Sequence, residues 1–170
     1  MQHPTWQLEL DSSALVLTPC PGTKGVPLQE SLAQLKQLGV AAVVTAISRH
    51  EMEQKGVESL GQQVQQQGMQ WFHLAIEDDC APDDDFTRQW ADASPRLHAL
   101  MAEGHKLALH CMGGSGRTGL LAAHLLLEQG WPLEQIITQV QSLRPGAFTK
   151  AVQLDYIREQ AKLAANASGE

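Results

Sequence analysis

The chain has 170 residues, one ordinary domain in length and enough to bury a core without disulfide or metal staples. Its 12 Lys+Arg against 19 Asp+Glu leave a formal charge of −7. That balance argues against nucleic-acid and acidic-membrane partners, which need a basic face to neutralise phosphates, and leaves room only for a local basic pocket. Three cysteines (Cys20, Cys80 and Cys111) cannot all pair within one chain, which excludes a disulfide framework. No apolar run approaches the ~18 residues of a membrane span. Met-Gln-His-Pro-Thr-Trp at the start lacks the basic and apolar regions of a signal peptide. A reducing, cytoplasmic setting is the expectation.

No repeat and no linker divides the chain, so residues 1–170 are expected to form a single domain with its core over about 14–160. Ala14 to Thr18 is a short apolar run stopped by Pro19-Cys20-Pro21-Gly22. Leu28, Leu32, Leu35 and Leu38 mark a helix that Gly39 ends. Val40 to Ile47 is continuously apolar and partly β-branched, the signature of a strand buried on both faces. Val57, Leu60 and Val64 recur at helical spacing through a glutamine cluster, whose Gln62–Gln67 stretch reads as a solvated helix face.

Met69 to Ile76 forms the next strand, and acidic residues 83–85 can cap the helix that follows. That helix turns Phe86, Trp90, Leu97, Leu100 and Met101 to one face, and Pro95 is expected to kink or break it. Lys106 to His110 is a strand leading into a glycine-rich loop, and Arg117 to Gln129 follows as a buried helix. Pro132 opens another helix at its first position. A last helix holds Val152 and Tyr156, with a frayed tail after Lys162. Alternating strands and helices predict an α/β fold with a mostly parallel central sheet flanked by helices.

The chemistry concentrates in His110-Cys111-Met112-Gly113-Gly114-Ser115-Gly116-Arg117-Thr118-Gly119. A loop joining a buried strand to a buried helix aims successive backbone N–H groups into a concavity, and the helix dipole adds positive potential. Glycines let the backbone wrap an anion without Cβ clashes, and Arg117 at the helix start can clamp two phosphate oxygens. Cys111 lies at the floor of the same cradle, where those donors also stabilise a thiolate. Such a pattern arises by chance on the order of once in a million chains of this size.

Cys-x5-Arg followed by Thr118-Gly119 resembles the phosphate-binding loop of the cysteine-dependent protein-tyrosine and dual-specificity phosphatases. The order of Leu17-Thr18-Pro19-Cys20-Pro21-Gly22, Gly39-Val40, Arg49-His50-Glu51, Ala75-Ile76-Glu77-Asp78, Arg144-Pro145-Gly146-Ala147 and Gln153 is similar to that of the cyclin-dependent-kinase-associated phosphatase subgroup. This resemblance spans about residues 14–157. It implies a dual-specificity-phosphatase-like fold with no cofactor and no metal. Cys111 would form a phosphocysteine while Arg117 and the amides of Met112, Gly113, Gly114, Ser115 and Gly116 hold the phosphate. Thr118 would donate to the departing sulfur, His110 would orient the loop, and Gln153 would place the hydrolytic water.

Such chemistry needs a general acid, and residues alone do not choose among the carboxylates of Glu77-Asp78-Asp79-Cys80-Ala81-Pro82-Asp83-Asp84-Asp85. The Ile-x-Asp pattern of the resembled family selects Asp78, with Asp83 or Asp79 as fallback. Arg49 is placed either at the pocket mouth or in a surface ion pair. Cys80 reads as a small loop residue rather than a redox partner of Cys111, and Cys20 has the weaker claim of the two.

The loop interior carries no lysine and the rim is acidic, which disfavours highly anionic substrates such as phosphoinositides. No aromatic recognition motif for a deep phosphotyrosine-only pocket is present. The expected activity is therefore hydrolysis of phosphotyrosine, and also phosphoserine or phosphothreonine, in a phosphorylated protein or peptide. The alternatives are a catalytically weak phosphate-binding module and a phosphatase for a non-protein phosphomonoester.

Overall fold

The computed structural model describes residues 2–168 and has a five-stranded sheet in the order β1-β2-β5-β3-β4. The strands are β1 (Trp6–Glu9), β2 (Ala14–Thr18), β3 (Val40–Thr45), β4 (Gln70–His73) and β5 (Lys106–His110). Only β1 runs antiparallel to its neighbour, Trp6 facing Leu17; β2, β5, β3 and β4 are mutually parallel. Every residue of β2 is buried, as is all of β5 beyond Lys106, so helices cover both faces. The expected α/β architecture with a mostly parallel sheet is the one observed.

The helices are α1 (Leu28–Gln37), α2 (Arg49–Gln54), α3 (Leu60–Gln66), α4 (Asp84–Ala102), α5 (Gly116–Glu128), α6 (Leu133–Leu143) and α7 (Ala151–Ser168). α6 and α7 pack on α5, whose residues Arg117 to Leu126 are all buried. The parallel arrangement gathers the exits of β2, β3, β4 and β5 at one sheet edge, where open α/β sheets bind their ligands. Thr45 and Thr18 flank His110 on either side of the central strand.

Several features differ from expectation. β3 ends at Thr45 and β4 spans only Gln70–His73, shorter than the expected Val40–Ile47 and Met69–Ile76, and Pro132 is the N-cap of α6, one position before its first helical residue. Strand β1 is absent from the sequence reading because its four residues carry no β-branched side chain and lie half-exposed at the sheet edge. Helix α2 is a short polar helix started by a capping box: Ser48 Oγ accepts from Glu51 N at 3.1 Å and the Glu51 carboxylate accepts from Ser48 N at 3.2 Å. Pro95 does not break α4, which runs continuously from Asp84 to Ala102 with Phe86, Trp90, Leu97 and Met101 anchoring it to the core. Packing of that face outweighs the one hydrogen bond a proline removes. Finally, α7 is helical from Ala151 through Ser168; the last two residues lie outside the described ones.

Burial also sets an acid limit on the fold. His110 is fully buried and His124 nearly so, and desolvation pulls both down to about 4. A histidine with a depressed folded-state pKa binds its proton more tightly when unfolded. Stability is therefore whole above the unfolded value near 6.5 and falls as the pH drops toward 4. At pH 5 each histidine is expected to cost about 2 kcal/mol. Urea titrations at pH 7.5 and 5 should show a lower midpoint in acid, with about half of the loss removed in a His124→Gln variant.

Candidate active site

The loop after β5 is held from two sides. Cys20 N donates to Met112 O at 2.9 Å, tying it to the exit of β2. Arg144, stacked over the Trp6 ring at 3.8 Å, donates from Nε to Gly114 O at 3.1 Å and from Nη2 to Gly113 O at 2.8 Å. These bonds draw loop carbonyls outward. The N–H groups of Met112, Gly113 and Ser115 have no protein acceptor among the described residues. Gly114 adopts φ +81°, and a Cβ there would lie 2.7 Å from the backbone of Thr18 and Pro19, so only glycine fits this close approach.

The Cys111 sulfur lies at the base, 3% exposed. Gly114 N donates to Sγ at 3.3 Å and Thr118 Oγ1 at 3.1 Å. Arg117, the second residue of α5, is equally buried. Its Nη1 donates to Glu51 Oε1 at 2.8 Å and to Ile76 O at 3.0 Å, and Nη2 donates to Glu51 Oε2 at 2.9 Å. Of the five guanidinium donors this leaves Nε and one hydrogen on Nη2, the Nη2 nitrogen lying 3.5 Å from Asp78 Oδ1. Burial alone would lower the Arg117 pKa; the hydrogen bonds of Glu51 and the charges of Cys111, Glu51 and Asp78 outweigh it and raise it. Burial likewise opposes ionisation of Glu51, but its bonds from Arg117 and Ser48 hold the carboxyl below the usual range.

Glu51 is the residue that sequence reasoning passed over, noting it only within a resemblance. Its capping box was the available signal: a Ser-x-x-Glu beside a strand exit places a carboxylate at the sheet edge. Removing one partner of a buried ion pair leaves the other charge uncompensated, at a cost of about 3–5 kcal/mol. Glu51→Gln is expected at the lower end of that range, because Glu51 retains 22% exposure. It should also weaken inhibition by inorganic phosphate, as Arg117 loses its bidentate anchor. Denaturant midpoints and the phosphate inhibition constant check both effects.

A cleft of about 220 Å³ opens above the sulfur, lined by loop residues 112, 113, 115 and 116 together with Asp78, Asp79, Arg117, Lys150 and Gln153. Among the described residues no aromatic side chain lines it. Asp78 is 72% exposed at the rim, while Asp79, in the left-handed region at φ 59°, pairs with Lys150 at 3.8 Å. Asp83 is instead the N-cap of α4, accepting from Phe86 N at 2.9 Å. Gln153 is buried; its Nε2 donates to Cys80 O at 3.1 Å, and its Oε1 is without a partner. Arg49 does not line this cleft: it borders a separate one with Met52, Glu53 and Trp71. Cys80 is exposed, and its side chain is not among the lining groups. Cys20 is buried, and burial first, then the charges of Cys111 and Glu51, push its thiol up to about 12. A larger cleft of about 580 Å³, between the β1–β2 turn and the ends of α4 and α5, contains none of these groups.

Residues 21–131 match the family described as Tc-R-P, polymorphic toxin system, DSP-PTPase phosphatase. The chain belongs to this family of dual-specificity, protein-tyrosine-phosphatase-type enzymes. Among curated proteins it is 31% identical over 145 residues to cyclin-dependent kinase inhibitor 3 of Sus scrofa, covering 83% of this chain and 67% of that one. Tyrosine-protein phosphatase CDC14 of Saccharomyces cerevisiae is 30% identical over 105 residues, which span 61% of this chain but only 17% of the yeast protein. The solved structure of kinase associated phosphatase (KAP), with its catalytic-site cysteine replaced by serine, superposes with a TM-score of 0.86 at 27% identity over 97% of both chains. Among the described residues no helix is long and apolar enough to cross a membrane.

Proposed function

We propose that the chain is a phosphoprotein phosphatase acting through a phosphocysteine on Cys111. The observation that carries this reading is a buried sulfur receiving two hydrogen bonds at the floor of a cleft that also contains Arg117 and Asp78. The sulfur attacks phosphorus, and the bond from phosphorus to the ester oxygen breaks. Arg117 Nε and Nη2, with the N–H groups of Met112, Gly113, Ser115 and Gly116, compensate the charge spread over the equatorial oxygens. Asp78 gives its proton to the leaving oxygen. It then takes a proton from water as the water oxygen attacks phosphorus, and the sulfur–phosphorus bond breaks. Thr118 Oγ1 and Gly114 N, already bonded to Sγ, stabilise the departing thiolate. Gln153 Oε1, buried and unpartnered, is an acceptor for that water.

The named relatives support a phosphorylated protein as substrate. A cleft without aromatic walls suits phosphoserine and phosphothreonine as well as phosphotyrosine, and the fields of Asp78 and Asp79 disfavour multiply charged phosphates. Hydrolysis of p-nitrophenyl phosphate and of the three phosphoamino acids in matched peptides tests the reading. Turnover of the peptides supports it. Phosphopeptide binding without turnover would favour a binding module, and turnover confined to non-peptide esters would remove the protein substrate.

A further inference from the structure

A hydrogen-bonded chain runs from outside the cleft into the catalytic loop. Trp71 Nε1 on β4 donates to Thr45 Oγ1 on β3 at 2.8 Å. Thr45 Oγ1 lies 2.7 Å from His110 Nε2, and His110 Nδ1 lies 3.0 Å from Cys111 O. Each proton on this path is determined. A carbonyl oxygen only accepts, so Nδ1 carries the imidazole hydrogen. The buried ring is neutral, as its lowered pKa agrees, so Nε2 is the bare nitrogen and must accept. Thr45 therefore gives its one hydroxyl hydrogen to His110, and its free lone pair takes the indole N–H.

The far end of this chain sets the direction of a phosphate donor. In a planar trans peptide the C=O and the following N–H point in opposite directions. Holding Cys111 C=O against the His110 ring turns Met112 N–H the other way, and Met112 lines the cleft with no acceptor for that N–H among the described residues. The seat of Trp71 is itself specified: a Cβ on Gly61 would lie 2.4 Å from the indole ring, so glycine there is what lets the ring in. Thr45 and His110 are fully buried, and no water competes for these bonds.

We infer that Trp71 and Thr45 are positioning residues of the phosphate cradle, fixing the His110 tautomer and through it the orientation of the Cys111–Met112 peptide. The inference rests on the reading of this loop as a phosphate site. Neither residue touches substrate, and neither is near Cys111 in sequence.

The test compares wild type with Thr45→Val, Thr45→Ser and Trp71→Phe. The measurements are the inhibition constant or direct binding constant of inorganic phosphate, the kcat and KM for p-nitrophenyl phosphate, and the thermal midpoint. Thr45→Val keeps the shape and loses the hydroxyl, and is expected to weaken phosphate binding and kcat/KM by about tenfold, the scale of one buried hydrogen bond. Trp71→Phe should fall between it and wild type, and Thr45→Ser should recover most of the affinity. Thr45→Val within about twofold of wild type, or Thr45→Ser as impaired as Thr45→Val, would overturn the inference. Phosphate binding without any turnover in wild type would count against the enzymatic reading alone, since the affinity series still reads the cradle.

Discussion

Cys111→Ser is expected to lower kcat for any phosphomonoester by at least about a thousandfold, the order lost when a covalent nucleophile is removed from a group acting as a unit. The serine hydroxyl fits the space of the thiol, so the amides of the loop and the Arg117 guanidinium keep their places. Inorganic phosphate should bind the variant within a few-fold of wild type. Retained binding is the part of the result that distinguishes loss of the nucleophile from collapse of the cradle. A fully active variant would assign the chemistry elsewhere.

Asp78→Asn should have a large effect whose size depends on the leaving group. A general acid contributes roughly 10²–10⁴-fold when the departing oxygen is basic. For an alkyl phosphate such as phosphoserine the loss in kcat is therefore expected in that range. For p-nitrophenyl phosphate, whose phenolate departs without help, it should be much smaller. The alkaline limb of the kcat/KM profile should also flatten, because that limb reports loss of the acid's proton. Asp79→Asn is the matched control: its carboxylate faces Lys150, and equal losses in the two variants would point to the rim's field instead of one proton donor.

The sheet was legible where the sequence carried long apolar or β-branched runs. The run expected as a buried strand over Val40 to Ile47 contains β3 (Val40–Thr45), and Lys106 to His110 is the strand expected there. The edge strand β1 was not, because four residues with one buried side chain carry no periodicity strong enough to register. The loop from Cys111 to Arg117 was legible because its chemistry is local: seven consecutive positions contain the sulfur, the donors and the cation. What supports it is not local. Glu51 reaches Arg117 across 66 positions, Arg144 reaches Gly113 across 31, and Gln153 reaches Cys80 across 73. Those contacts exist only once parallel crossovers bring the strand exits together and α7 packs on α5. Pro95 shows the converse: a strong local signal was overridden by the burial of the face around it.

Acid-quenching the enzyme during turnover of a phosphopeptide, and mapping the modified residue by peptide mass spectrometry, tests the covalent step. One phosphoryl group is expected on the peptide containing Cys111, lost in Cys111→Ser and more abundant in Gln153→Ala, where water attack is slowed. A phosphoryl group on another side chain, or rapid turnover with no covalent adduct at any quench time, would contradict it.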